Sequence, residues 1–438
     1  MIKVILLFTT VFLTIKSCDN PSEIDPPPAD VDPVNGISVE EIPFEDLLDL
    51  VQEKTFGYFW DFADPTTGLA KERSSDDETL TIGGSGFGIS CFPIAVERGW
   101  ITRSEAVQRL GLILTFLEGA DSYHGAFSHW YASSGSTKPF SSKDNGGDIV
   151  ETAFLIQGLL IARQYFSESN TEESEIRDRI TALWERVEWD WYTQNQNAIT
   201  WHWSPNYNFD INLKVSGWNE SLIVYVLAAA SPTHSISKTV YDVGWTRNGD
   251  MINTGTFYDI RLPLGENYGG PLFFSHYSFI GLDPRNLEDE YTNYFQQNRA
   301  HSLINHAYCV ANPKGYMGYD SNSWGLTAST NNNGYAAHSP SNDLGIISPT
   351  AALSSFPYTP TQSREALEHF YYNLNDKLWG EYGFYDAFSE HYNWYAEGYL
   401  AIDQGPIIAM IENYRTQLLW NLFMQDPDVI NGLNALGF

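Results

Sequence analysis

The sequence predicts an all-α fold, a toroid in which an inner ring of apolar helices is wrapped by amphipathic ones. Three observations point there. Stretches with almost no charge alternate along the chain with stretches that are apolar on one stripe only. Strand signals are few and short. The segments between helices are long and rich in aromatic residues, as loops gathered on one face would be.

The elements follow in order. Glu45–Phe62 carries Leu48, Val51, Thr55, Tyr58 and Phe59 at helical spacing. Gly86–Val96 is uncharged and is expected inside. Ser104–Leu117 is amphipathic, with Val107, Leu110, Ile113, Leu114 and Leu117 on one side. Ile149–Ala162 is apolar on nearly every side and should be surrounded by protein. Glu173–Trp191 is amphipathic through Ile176, Ile180, Leu183, Trp184, Val187 and Trp191. Asn219–Ala230 is interior and stops before Pro232. Later helices are expected over Arg285–Tyr308, Arg364–Leu374 and Pro406–Met424, with Pro406 as a first-turn proline. The loops 121–148, 195–217, 265–274 and 313–353 would open on one face.

The chain has 438 residues, enough for one large core or two ordinary ones. Residues 1–17 have the form of an export leader, with Lys3 before a short apolar run. Ile15-Lys16-Ser17-Cys18 resembles a bacterial lipobox, which would make Cys18 the lipidated residue. Residues 18–42 contain PSEIDPPPADVDP, an extended Pro/Asp-rich tether. No second tether follows, so 43–438 is expected to be one domain. Cys91 and Cys309 make neither a disulfide framework nor a zinc site, and both are expected as buried small hydrophobes.

The formal net charge is −31, with 14 Trp and 26 Tyr. So acidic a chain argues against DNA, RNA or anionic lipid as partners. Membrane contact would come only through a lipid anchor. Abundant Trp and Tyr beside few basic groups suit neutral carbohydrate. No Gly-rich phosphate loop, serine elbow, HExxH or CxxC is present.

What remains is carboxylates in uncharged or aromatic company. Asp144 and Asp148 stand in the loop that opens into the central apolar helix, and Asp148 with Glu151 makes a D-x-x-E capping pattern. Glu220 sits at the first turn of an interior helix, where the helix dipole would lower its pKa and burial would raise it. Asp403 lies between an apolar run and the helix expected from Pro406. Two separated carboxylates in an aromatic cleft are the minimum kit for glycoside hydrolysis. His124, His129, His202, His276 and His338 lie in loops with Trp and Tyr. None of their spacings is that of a metal pair, so we expect sugar-hydroxyl hydrogen bonds from them, and no metal or cofactor.

The same stretches resemble one family, the bacterial glucoamylase-like domain proteins of glycoside hydrolase family 144. The resemblance runs from about Pro43 to Phe438 and includes KDNGGDIVETAFLIQGLL, WHWSPNY, GWNESLIVYVLAAASPTH, GGPLFFSHYSFIGLDPR and YLAIDQGPIIAMIENYRTQLLW. It implies an (α/α)6 barrel and inverting hydrolysis of β-1,2-glucan, either within the chain or by release of sophorose from its end. By motif, Glu220 matches the general acid and Asp403 the candidate base. Asp144 and Asp148 match an acidic pair that holds substrate, and we place Glu151 and His129 with them. Trp130, Trp203, Trp218 and Trp324 are candidates for stacking on glucose rings. A monomer is expected. A surface glycan-binding protein, an α-glucan hydrolase and a polysaccharide lyase stay open as alternatives.

Overall fold

The apolar stretches fill the inner positions of a helical ring. In the computed structural model, which describes residues 41–438, helix α1 spans Phe44–Trp60 and α2 spans Ile82–Ser90. They are followed by α3 (Phe92–Glu97), α4 (Arg103–Gly119), α5 (Ile149–Tyr165), α6 (Thr171–Glu185) and α7 (Leu222–Ala230). The leader 1–17, Cys18 and the tether as far as residue 40 lie outside the described residues. No helix among the described residues is long and apolar enough to cross a membrane.

All of α2, all of α7 and α5 up to Ala162 are buried. The remaining inner positions are 3-10 turns at Leu272–Ser275 and Ser278–Ile280, the short helix Pro349–Leu353, and the helix Ala401–Arg415. Neighbours pack in sequence around the ring: α2 on α5, α5 on α7, α7 on Ser278–Ile280, Pro349–Leu353 on Ala401–Arg415, and that helix back on α2. A hydrogen-bond-length contact of 3.0 Å between His276 Nε2 and Ser355 Oγ joins the 3-10 segment to the Pro349 side. Outside stand α1, α4, α6 and the helices Tyr294–Ala311, Pro360–Tyr372 and Pro427–Leu436, each burying one face. This is the (α/α)6 arrangement.

Sequence chemistry sets the outer helix starts. Thr102 and Glu105 form a reciprocal capping box on α4, and Asn170, Asn293 and Asp426 cap their helices through side-chain oxygens. Several expected boundaries move: the helix expected over Arg364–Leu374 spans Pro360–Tyr372, and the one expected from Asn219 begins at Leu222. The stretch Gly86–Val96 is two helices joined at Cys91, with Pro93 opening the second. The α6 helix ends at Glu185, and Trp191 belongs to a separate 3-10 turn. The helix expected from Arg285 begins at Tyr294, where Asn293 supplies the cap. The helix expected from Pro406 begins at Ala401 and carries Pro406 inside it, then breaks where Gln417 takes φ +65°. Proline there has no N–H to close its helical bond, so the helix passes through it with one backbone bond missing instead of starting at it.

Among the described residues the strands are short and lie between the helices. The largest group orders Lys71–Arg73, Asp76–Thr81, Trp130–Tyr131 and Thr137–Lys138 into one antiparallel sheet. A second hairpin pairs Ala328–Asn331 with Gly334–Ala337. Cys91 and Cys309 are buried free thiols, as expected.

Candidate active site

A cavity of about 380 Å³ opens at one end of the ring, within the range of sugar- and drug-sized sites. Its walls come from the loops the sequence marks as long, through His129, Trp130 and Phe140; Trp201; Phe273; Ala328 and Tyr335, with Tyr277 added from between two inner 3-10 turns. Glu72, Arg73 and Thr81 add a wall from a segment not foreseen. Glu151, Phe154, Glu220, Leu400 and Ile402 complete the lining from the inner helices and their approaches.

The acidic loop is built first. Gly147–Asp148 pairs antiparallel with His202–Trp203, which sets Asp148 opposite His202 at the mouth of α5. Asp148 Oδ1 accepts the backbone N–H groups of Val150 (2.9 Å) and Glu151 (3.0 Å), so it caps the helix. The capping box is not completed. Glu151 turns away and accepts the Gly83 N–H of α2 at 2.8 Å. Only glycine allows that approach, because a Cβ at position 83 would stand 2.3 Å from the Glu151 carboxylate.

The free oxygen of Asp148 faces two imidazoles. His129 Nδ1 lies 3.1 Å and His202 Nε2 3.5 Å from Asp148 Oδ2. His202 Nε2 also lies 3.2 Å from Asp144 Oδ2, and the Trp201 indole N–H donates to Asp148 Oδ2 at 3.3 Å. Burial works against charge on His129, but Glu151, Asp148 and Asp144 outweigh it and raise its pKa to about 9. Burial also opposes charge on Asp148, and there the bonds and fields of His129 and His202 win and pull it down. Asp144 goes the other way, raised by burial and then by the neighbouring Asp148. The fold thus brings together His129, Asp144 and Asp148, with atoms within 4.8 Å of one another, a grouping that histidine spacing alone does not reveal. Cation-holding geometry and an internal ion-pair network coincide here. The protonated imidazole itself neutralises the acids.

Glu220 stands two residues before the first residue of α7, not in its first turn. Its carbonyl accepts the Ser278 hydroxyl, which fixes the backbone, and its half-buried side chain lines the cavity. Burial raises its pKa to about 7, helped by Glu151 and Asp148. Off the helix, the carboxyl gains little from the dipole, and desolvation decides.

Asp403 is in the first turn of its helix, 2% exposed, and sits one layer behind the cavity wall. Tyr277 donates to Asp403 Oδ1 at 3.4 Å, while Oδ2 has no hydrogen-bond partner. Burial, then Asp386, holds its pKa well above the carboxylate range. Tyr277 feels the fields of Asp403, Glu220 and Glu151 together, so the proposed acid and base flank one tyrosine.

Of the expected stacking residues, Trp130 lines the cavity beside Phe140, whose ring lies flat on His129 at 4.2 Å. The other three do not. Trp324 is fully buried and donates to Gln362 O at 3.2 Å. Trp218 is core, packed between Phe279, Tyr294 and Gly265. Trp203 points away from the cavity into a cluster with Tyr123, His124 and Trp191. Trp201, just ahead of the two-residue strand His202–Trp203, takes the cavity position instead. His276 and His338 are buried, and His124 stacks on Trp191 at 3.5 Å. Trp130→Ala is expected to raise KM roughly three- to tenfold with kcat little changed, the worth of one ring contact; steady-state kinetics on β-1,2-glucan checks it.

The comparisons agree with this geometry. A family model described as "Putative glucoamylase" matches residues 212–427. A crystal structure under the same description from Bacteroides uniformis superposes with TM-score 0.90 at 54% identity, covering 91% of this chain and 98% of that one. The endo-β-1,2-glucanase of Chitinophaga pinensis, solved with sophorotriose and glucose, gives TM-score 0.89 at 51% identity over 91% of this chain and 99% of that one. An exo β-1,2-glucooligosaccharide sophorohydrolase of Parabacteroides distasonis is 47% identical over 416 residues, 90% of this chain but 58% of that protein. Half the residues identical across the full length of solved relatives, on the same helical ring, is descent: the chain belongs to the bacterial glucoamylase-like family, glycoside hydrolase family 144.

Proposed function

We propose that this protein hydrolyses β-1,2-linked glucan with inversion, Glu220 protonating the glycosidic oxygen and Asp403 drawing the proton from the attacking water. The observation that carries the proposal is Glu220 itself, a carboxyl opening into an aromatic-walled cavity, whose pKa burial raises to about 7, so that a substantial share keeps its proton near neutral pH. A relative of 51% identity is named as an endo-β-1,2-glucanase and one of 47% as a sophorohydrolase, which supports this linkage.

In one turnover Glu220 gives its proton to the leaving oxygen as the glycosidic bond breaks. Water attacks the anomeric carbon from the opposite face and loses its proton toward Asp403. Solvent then reprotonates Glu220 and takes the proton from Asp403, so protons balance. Asp403 lies behind Tyr277, so its proton travels through a hydroxyl or water in the cavity. Trp130, Trp201 and Phe140 supply apolar faces for glucose rings. His129 and Glu151, both on the wall, supply hydrogen bonds to sugar hydroxyls, while Asp144 and Asp148, buried behind them, hold the imidazoles in place.

New reducing ends on linear β-1,2-glucan, with the α-anomer appearing first by NMR, are the expected result. Product sizing separates sophorose release from internal cleavage. Binding without new reducing ends would leave a glycan-binding protein. An unsaturated product would make it a lyase, but Arg73, the only Arg or Lys on the cavity wall among the described residues, is already paired to Glu72 at 2.8 Å. Residues 1–18 support export and lipidation at Cys18. Labelled palmitate incorporated by the wild type and not by Cys18→Ser is the expected outcome, and equal labelling would reject it.

A further inference from the structure

A second carboxyl stands behind the base, and the proposed reaction leaves it without a role. Asp386 is 5% exposed. Its Oδ2 accepts the Thr330 N–H at 2.7 Å, and its own backbone N–H donates to Gly398 O at 3.0 Å. Thr330 belongs to the hairpin whose opposite strand carries Tyr335, directly across the ladder from Thr330 and on the cavity wall. Asp386 therefore ties the hairpin wall to the helix of Asp403.

Two buried oxygens in this corner have no partner, Asp386 Oδ1 and Asp403 Oδ2. The two side chains are within hydrogen-bonding contact of each other. Two bare carboxylates would leave both oxygens unsatisfied and repelling, a state buried sites do not tolerate. One proton between them satisfies both atoms at once. We propose that Asp386 and Asp403 share a single proton and act as one unit, with Asp386 the positioning residue that keeps Asp403 aimed and available as the base.

The surroundings fit a unit with one negative charge. From the first strand, Arg73 faces Asp386, with Glu72 as its ion-pair partner. Tyr277 faces Asp403, and Tyr335 faces both acids from the hairpin. Tyr58 faces Asp386 from α1. One cation, already paired, meets two acids, so a second full negative charge has no counterion nearby. Burial raises both groups, and Asp386 raises Asp403 further while the bond between them lowers Asp386, the opposite shifts of two carboxyls holding one proton. During turnover the shared proton rests on Asp386 while Asp403 accepts the proton of water. The pair then holds two protons and returns one to solvent.

This inference rests on Asp403 as base, and the test separates the two claims. In Asp386→Asn the amide oxygen still accepts from Thr330, and the amide N–H takes the place of the shared O–H toward Asp403. Activity should therefore stay within about tenfold of wild type. Asp386→Ala removes both bonds and should lose about 10- to 100-fold in kcat with KM little changed, the worth of a lost bond to a charged group. Rescue by Asn and not by Ala is what a merely space-filling role would not give. The second arm needs no substrate. The infrared difference spectrum at neutral pH, wild type minus Asp386→Asn, should contain one protonated-carboxyl band that shifts in deuterium oxide. Asp403→Asn should remove the same band, and it serves if Asp386→Asn does not fold. Absence of that band, or loss in Asp386→Asn as deep as in Asp403→Asn, overturns proton sharing. A wild type that makes no new reducing ends overturns the hydrolase reading alone, and the infrared band still decides the pair.

Discussion

Glu220→Gln is expected to lower kcat/KM on β-1,2-glucan by more than about 100-fold while the protein keeps its fold and its affinity for the glucan. The amide is nearly the same size and sits just ahead of α7, so no packing is lost. What is lost is the proton that makes the sugar oxygen a leaving group. Its pKa of about 7 adds a second, independent expectation. An acid works only while protonated, so wild-type kcat should fall as pH rises through about 7. In Glu220→Gln the residual rate should not show that limb. A variant with near-wild-type turnover, or a wild-type rate that keeps rising with pH above 8, would remove Glu220 from the role. Glu151 lies close enough to raise Glu220 electrostatically, yet it cannot substitute for it. Its carboxylate is committed to the Gly83 N–H and lies 3.8 Å from the His129 ring.

Much of this site is visible in the chain because an acid among apolar or aromatic residues is locally anomalous. That signal marks Asp144, Asp148, Glu220 and Asp403, and the fold brings all four to one end of the ring. The same signal exists at Asp386, in YGFYDAF, but that stretch has no helical pattern to place it. Glu72 and Arg73 were hidden for the opposite reason. They stand in a charged run, which in sequence looks like a solvated turn, and only the pairing of Thr81 with Trp130 carries that strand to the cavity. The tryptophans show the limit most sharply. Trp201 and Trp203 are equivalent in composition and share one strand parity, so alternation cannot tell them apart; Trp203 lies in the paired strand and joins the Tyr123 cluster, whereas Trp201 stands just before it and reaches the cavity. Helix identities were legible from periodicity, whereas helix ends depended on Asn293, Pro93 and Pro406, whose effects turn on position within the turn.

Gly86→Ala and Gly158→Ala should each destabilise the protein by about 1–3 kcal/mol or more, although both replace glycine inside a helix. In an exposed helix the same change stabilises by about 1 kcal/mol, because alanine has less backbone freedom to lose. Here α2 and α5 cross with their backbones in contact. A Cβ at Gly86 would stand 2.3 Å from Phe154 O and 2.5 Å from Leu155 Cα, and one at Gly158 would stand 2.1 Å from Gly86 O. Those are main-chain atoms, so no rotamer can yield and the helices must separate. Gly111, in the middle of α4, is the internal control: its nearest atom would be Ile176 Cδ1 at 3.9 Å, an ordinary contact, so Gly111→Ala should raise stability. Denaturant midpoints for the three variants give the sign directly. Separation of α2 from α5 also pulls Gly83 from Glu151 and shifts Phe154 on the cavity wall, so activity should fall in Gly86→Ala even where the protein stays folded. Equal stabilisation in all three variants would mean that the two inner helices are not in backbone contact, and the floor of the site would lose its explanation.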